Sequence, residues 1–142
     1  MLSNYRQRAS ARAAESAVHT PALDTHALLA LARQSFMRMQ VAWDAADLHA
    51  LAACTTEPLL ADLTLQLSQR GPGPNRTEVL QLDARLVGLD DLKDAFVASV
   101  EFSGVIRERA NRVEAPFREL WLLANVKTHV DGWRLAGVQS LS

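Results

Sequence analysis

Between Asp24 and about Ala46, the apolar residues Leu29, Ala32, Phe36, Met39 and Trp43 recur at steps of three and four. That spacing predicts the buried stripe of one long amphipathic helix. Asp24 can cap its N-terminus through a side-chain oxygen, and Pro21 stands just upstream. A short helix is expected over Leu48 to Ala53. A third should begin near Thr56, with Pro58 in its first turn, where a missing N–H costs little. Leu60, Leu63 and Leu67 would form its buried edge, and Gly71 supplies a residue able to end it. Gly71-Pro72-Gly73-Pro74-Asn75 then reads as a loop or hinge that closes the helical half.

Beyond that loop the apolar period changes to two. Leu80, Leu82, Ala84 and Leu86 alternate with Val79, Gln81, Asp83 and Arg85, which predicts a first strand ending in a turn at Gly88-Leu89-Asp90-Asp91. In the second strand Phe96, Ala98, Val100, Phe102 and Ile106 share one face, and Ser99, Glu101, Ser103 and Arg107 the other. A polar stretch at Asn111-Arg112 makes the next reversal. A third strand is expected from Phe117 to about Lys127, a turn at Val130-Asp131-Gly132, and a fourth strand from Trp133 to Leu141. Short links between successive strands imply antiparallel pairing, so the expected class is α+β, with three N-terminal helices packed on a curved four-stranded antiparallel sheet. The expected division is a lead-in over residues 1–23 and one domain over 24–142.

Composition narrows the functional range. The 142 residues suffice for one domain with one core. A net charge of -1 gives no general drive towards nucleic acid, which needs a basic field. Cys54 stands alone, so no internal disulfide is available. No run approaches the ~20 apolar residues that span a bilayer, and no apolar signal core follows Met1. The domain itself is therefore expected to be soluble. The lead-in carries Arg6, Arg8 and Arg12 against one acid, Glu15. It reads either as a solvated extension or as a basic juxtamembrane stub that meets an anionic membrane surface.

Hydrolytic motifs are missing. The chain has neither a Gly-x-Ser-x-Gly elbow nor a His-Glu-x-x-His pair. His19, His26, His49 and His129 are scattered, without the spacing that converges on a metal, so no metal site and no cofactor are expected. Cys54 is expected to be a buried thiol, and the Gly-Pro loop lacks the Lys-Ser or Lys-Thr of a phosphate cradle. Glu119, between Phe117 and Trp121, is the one carboxylate placed for acid–base work inside an apolar cavity, and it has no histidine partner on the sheet.

Two helical segments, Ala42-Trp43-Asp44-Ala45-Ala46-Asp47-Leu48 and Thr56-Glu57-Pro58-Leu59, resemble the opening of the Tim-forty-four-like domain family. Three sheet segments agree with it: Phe102-Ser103-Gly104-Val105-Ile106-Arg107-Glu108, Pro116-Phe117-Arg118-Glu119-Leu120-Trp121, and Gly132-Trp133-Arg134-Leu135-Ala136-Gly137-Val138-Gln139. Together they span roughly residues 28 to 141. The resemblance implies a cone of the nuclear-transport-factor-two type, and a non-enzymatic binding or scaffold domain linked to protein translocation or to membranes. It implies a place at the periphery of a bacterial or mitochondrial inner membrane, and a protein partner or an apolar lipid-like ligand. A carrier of an apolar ligand in the cone, or a small isomerase or hydratase, are the competing readings. In the cone, Phe117, Glu119 and Trp121 of strand three are expected beside Trp133, Leu135, Gly137 and Gln139 of strand four. These two rows would line an apolar concavity, with Glu119 paired to the Gln139 amide or to an arginine.

Overall fold

The computed structural model describes residues 24–70, 76–108, 112–127 and 132–141. The lead-in with Arg6, Arg8 and Arg12, the Gly-Pro loop and the turn at Val130-Asp131 lie outside the described residues, as do His19 and His129. Three helices come first: α1 (Thr25–Asp44), α2 (Leu48–Cys54) and α3 (Glu57–Arg70). Four strands follow: β1 (Thr77–Asp91), β2 (Ala95–Glu108), β3 (Glu114–Val126) and β4 (Trp133–Ser140). They form one antiparallel sheet in the order β1-β2-β3-β4. The expected α+β class and the four-stranded sheet are both present.

The start of α1 follows its sequence. The Asp24 carboxylate accepts a hydrogen bond from the His26 backbone N–H at 3.0 Å, satisfying one free donor of the first turn. Its buried stripe is Leu28, Ala32, Phe36, Met39 and Ala42. Leu29 and Trp43, expected in that stripe, are half-buried, so the helix is turned slightly from the orientation its spacing suggests. At the exit Ala46 takes φ 52°, a left-handed turn without a glycine. Asp47 then caps α2, accepting from the Ala50 N–H at 3.1 Å.

The core lies between this helix and one face of the sheet. Phe36 packs on Phe102, Phe117 and Trp121, with ring centroids 4.9, 5.6 and 5.0 Å away. Full burial of one such ring contributes about 2–3 kcal/mol. Leu51 of α2 joins this cluster, and Leu59, Leu60, Leu63 and Leu67 of α3 flank it. Cys54, expected to be buried, is half-buried at its border. Both ends of the segment between α3 and β1 are tied to the last turn of α1. Arg70 donates to the Trp43 carbonyl at 2.8 Å, and the Thr77 N–H donates to the Asp44 carboxylate at 2.8 Å.

Bulges change two expectations about which residues share a face and one about where the chain turns. In β1, Leu80 is an extra residue between Val79 and Gln81. Val79 therefore joins Leu82, Ala84 and Leu86 against the core, while Leu80 is 43% exposed. A second bulge at Val87 lets the strand run on through Gly88 to Asp91, so the expected turn there is absent. The reversal occurs at 92–94, where the Leu92 N–H bonds the Ala95 carbonyl at 2.9 Å. In β4, Ala136 is the extra residue, since Leu122 faces Gly137 while Leu123 faces Leu135. Trp133 and Leu135 thus share the face of Trp121 and Leu123, and Gly137 and Gln139 fall on the opposite face. Val138 and Ser140 take the places expected of Gly137 and Gln139, opposite Trp121 and Glu119.

That opposite face carries cross-strand charge. Glu101 of β2 is bonded by Arg85 of β1, and by the Arg118 guanidinium of β3 at 2.7 Å. The hydrogen bond from Arg85, helped by both positive charges, holds the Glu101 carboxyl below its usual range. A lowered folded-state pKa adds stability that is present above the unfolded value and lost as pH falls through the folded one. Glu101→Gln should therefore be less stable than the parent at pH 7. The gap should close when urea unfolding is repeated at successively lower pH to about 3.

Gly104 permits the close approach of β1 at its first bulge. A Cβ there would lie 1.9 Å from the Gln81 carbonyl oxygen and 2.7 Å from its carbon, both backbone atoms. Gly104→Ala should cost ~3 kcal/mol in chemical denaturation. Gly88→Ala, whose new Cβ meets nothing nearer than the Asp90 carboxylate at 3.9 Å, should cost much less.

Candidate functional site

The helix–sheet corner at β4 is built from backbone contacts. Thr55 forms a parallel bridge with Leu135, and the Thr56 N–H donates to the Leu135 carbonyl at 2.9 Å. Arg134 donates to the carbonyls of Ala52 and Thr55 at 3.0 and 3.3 Å, supplying donors to the end of α2. α3 starts from this corner, with Pro58 in its first turn as expected and the Thr56 carbonyl accepting from the Leu60 N–H at 2.9 Å. The helix therefore leaves along β4 and stands off from it.

The space left is a groove of about 650 Å³. Leu59 and Leu63 of α3 and Trp43 of α1 line it from the helices, and Glu119, Val138 and Ser140 from the sheet. It also reaches Leu122 and Gly137, which belong to the other face, so it wraps the edge strand. Its polar groups include Thr56 at the corner, Asp62 and Gln66, one turn apart on α3, and Glu119 and Ser140, directly paired across β3 and β4. A second recess of about 610 Å³ lies at the corner itself, beside Ala52, Pro58 and Arg134.

Glu119 is half-buried, and its partner is neither Gln139 nor an arginine. The Trp121 indole N–H donates to its carboxylate at 3.0 Å. Two residues apart on one strand, the pair points to the same side and needs no other element. Of the residues expected to line a concavity, Glu119 and Gly137 border the groove. Phe117, Trp121, Trp133 and Leu135 lie in or against the core, and Gln139 is exposed on the second face. Asp62, Gln66 and Ser140 were missed. Their signal was available on α3, where Asp62 and Gln66 flank the apolar edge at Leu63, but it does not differ from that of an ordinary solvated helix face.

His26 and His49 are exposed, and among the described residues no group of three His, Cys, Asp or Glu is placed to hold a metal ion. No described helix is long and apolar enough to cross a membrane.

Comparison with solved structures identifies the fold. The chain is similar to a nuclear transport factor 2 (NTF2-like) superfamily protein from Salmonella enterica serovar Typhimurium, with a TM-score of 0.51 at 12% identity. The match covers 84% of this chain and 93% of the other. A conserved protein from Planctomyces limnophilus aligns with a TM-score of 0.44 at 14% identity, over 82% of this chain and 99% of that one. The match to the Salmonella protein shows that the fold, three helices on a four-stranded antiparallel sheet, is NTF2-like. No family model matches the chain, and no curated protein does. The Tim-forty-four-like resemblance accordingly stands on its sequence segments alone.

The Trp121–Glu119 contact gives a direct test. Trp121→Phe removes both the donor and part of a ring packed on Phe36 and Phe102, and should cost ~2–3 kcal/mol. Glu119→Gln keeps an acceptor for the indole and should cost under ~1 kcal/mol in the same urea titration.

Proposed function

We propose that this chain is a non-catalytic binding domain whose ligand lies in the groove between α3 and β4. The observation that carries this reading is the groove itself, largely apolar walls with a few polar groups gathered along one strand pair and one helix turn. Sites of about 300–1,000 Å³ with that lining are what small apolar ligands and apolar peptide segments require. Asp62 and Glu119 are both acidic, and neither has a basic side chain among its hydrogen-bond partners in the described residues. They disfavour a ligand ending in a carboxylate and favour one carrying an amine, an amide or a basic side chain on an apolar body. The Glu119 carboxylate is engaged by an indole N–H, and among the described residues no histidine is hydrogen-bonded to it, which supports binding over acid–base chemistry.

Dodecylamine and dodecanoate separate these properties, since they share an apolar body and differ in charge. Titrated into the full chain and followed by the fluorescence of Trp43, dodecylamine should bind at least about tenfold more tightly. Val138→Trp, which fills the groove from the edge strand, should abolish the response with cooperative unfolding intact. Equal affinities, or an unchanged response in Val138→Trp, would remove the proposal.

A further inference from the structure

A strand at the border of a sheet leaves one row of N–H and C=O groups unpaired, and proteins bend, shorten or cover such borders. This sheet has two, on β1 and β4. Along β1 the ladder is broken at Leu80 and again at Val87, and such bulges twist an edge away from a straight partner. β4 is treated differently. Its start is covered, because the Thr56 N–H donates to the outward carbonyl of Leu135 at 2.9 Å beside the Thr55 bridge. Over residues 137–140 the pairing with β3 is regular, and no hydrogen bond from another described element reaches the outer edge.

The register shows which groups are free there. The Leu141 N–H donates inward to the Arg118 carbonyl at 2.8 Å. Backbone groups alternate in direction along an antiparallel strand, so Gln139 also faces β3, while Val138 and Ser140 turn their N–H and C=O outward. The same two residues stand opposite Trp121 and Glu119 and border the groove. The groove also reaches Gly137 and Leu122 on the other face, so it passes around this edge. One short stretch therefore offers side chains to the groove and unpaired backbone to its border.

A small amphiphile uses only the walls of such a groove. An extended peptide uses the walls and the edge together. In antiparallel pairing, the residues facing Val138 and Ser140 each exchange both backbone bonds with their partner, and their side chains fall on the groove side. The place facing Val138 suits an apolar residue. The place facing Ser140 is two strand spacings from Glu119, roughly 10 Å, within the combined reach of a lysine and a glutamate side chain. Asp62 adds a second negative charge from α3.

We infer that the groove takes an extended peptide segment of a partner protein, added antiparallel to β4 as a fifth strand, with an apolar residue facing Val138 and a basic one facing Ser140. This rests on the reading of the groove as a binding site and names the class of its ligand. The backbone bonds give affinity whatever the sequence, and the apolar wall with its two carboxylates selects apolar and basic residues at every second position.

Calorimetric titration of the full chain with acetyl-Thr-Leu-Thr-Lys-Thr-Ile-Thr-amide tests this. In the inferred pairing, the Lys and Ile N–H groups point at β4 and the N–H of the Thr between them points away. N-methylation of Lys or Ile should weaken binding about tenfold or more, and N-methylation of that Thr by less than about twofold. Replacing the peptide Lys by Glu should also cost about tenfold. Ser140→Pro removes an outward donor and no ladder bond, so it should keep cooperative melting and weaken the parent peptide about tenfold. Equal losses at both kinds of N-methyl position would overturn the proposal, and so would a loss confined to the intervening Thr. Binding of dodecylamine without binding of the peptide would overturn it alone and leave the groove as a small-molecule site. Binding of neither would remove the groove reading as well.

Discussion

Everything about the site depends on where α1 sits, and Phe36 decides that. Its ring meets Phe102 of β2 and both Phe117 and Trp121 of β3, so one helix residue spans two central strands. Aromatic rings pack in a few preferred offsets, so a cluster of four fixes both translation and rotation of the helix. With α1 held there, α2 and the start of α3 follow through short connections and the Leu135 backbone contacts. The groove is what remains when a helix is held at one end by this corner and at the other by the Arg70–Trp43 contact.

The sheet adapts to that helix layer by local insertions. Leu80, Val87 and Ala136 each add one residue, and each reverses the side on which the following residues point. The consequence at β4 is chemical as well as geometric. Because of Ala136, Val138 and Ser140 border the groove from the helix side, while Gly137 borders it from behind without a side chain. A regular strand would have presented Gly137 and Gln139 beside Glu119 instead. The pairing of Glu119 with Trp121 is insensitive to this, since both belong to one strand without an irregularity between them.

These features also mark the boundary of what can be read from the amino acids alone. The helix caps at Asp24, the proline start of α3 and the alternation of β2 are encoded within a few residues, and all are found as expected. Phe96, Ala98, Val100 and Phe102 lie in register because β2, central and buried, carries no bulge against β3. Bulges leave no comparable signature. Leu80 and Val87 are apolar residues in apolar strands, and only the partner strand shows that they stand outside the ladder. The same limit applies to the groove, because Asp62, Gln66 and Ser140 come together across helix and strand by tertiary packing. Glu119 could be singled out because its setting on β3 is local.

The anchoring of the segment between α3 and β1 carries an architectural consequence. Arg70 and Thr77 are each held to the last turn of α1, by the Trp43 carbonyl and the Asp44 carboxylate. The two ends therefore keep their places whatever connects them, and lengthening a closed loop adds entropy only slowly, about 0.6 kcal/mol per doubling. This position, between the helical layer and the sheet, is where the polypeptide can accept foreign sequence. A reporter or a whole second domain spliced there would hang from a fixed base, leaving the Phe36 cluster and the groove unaltered.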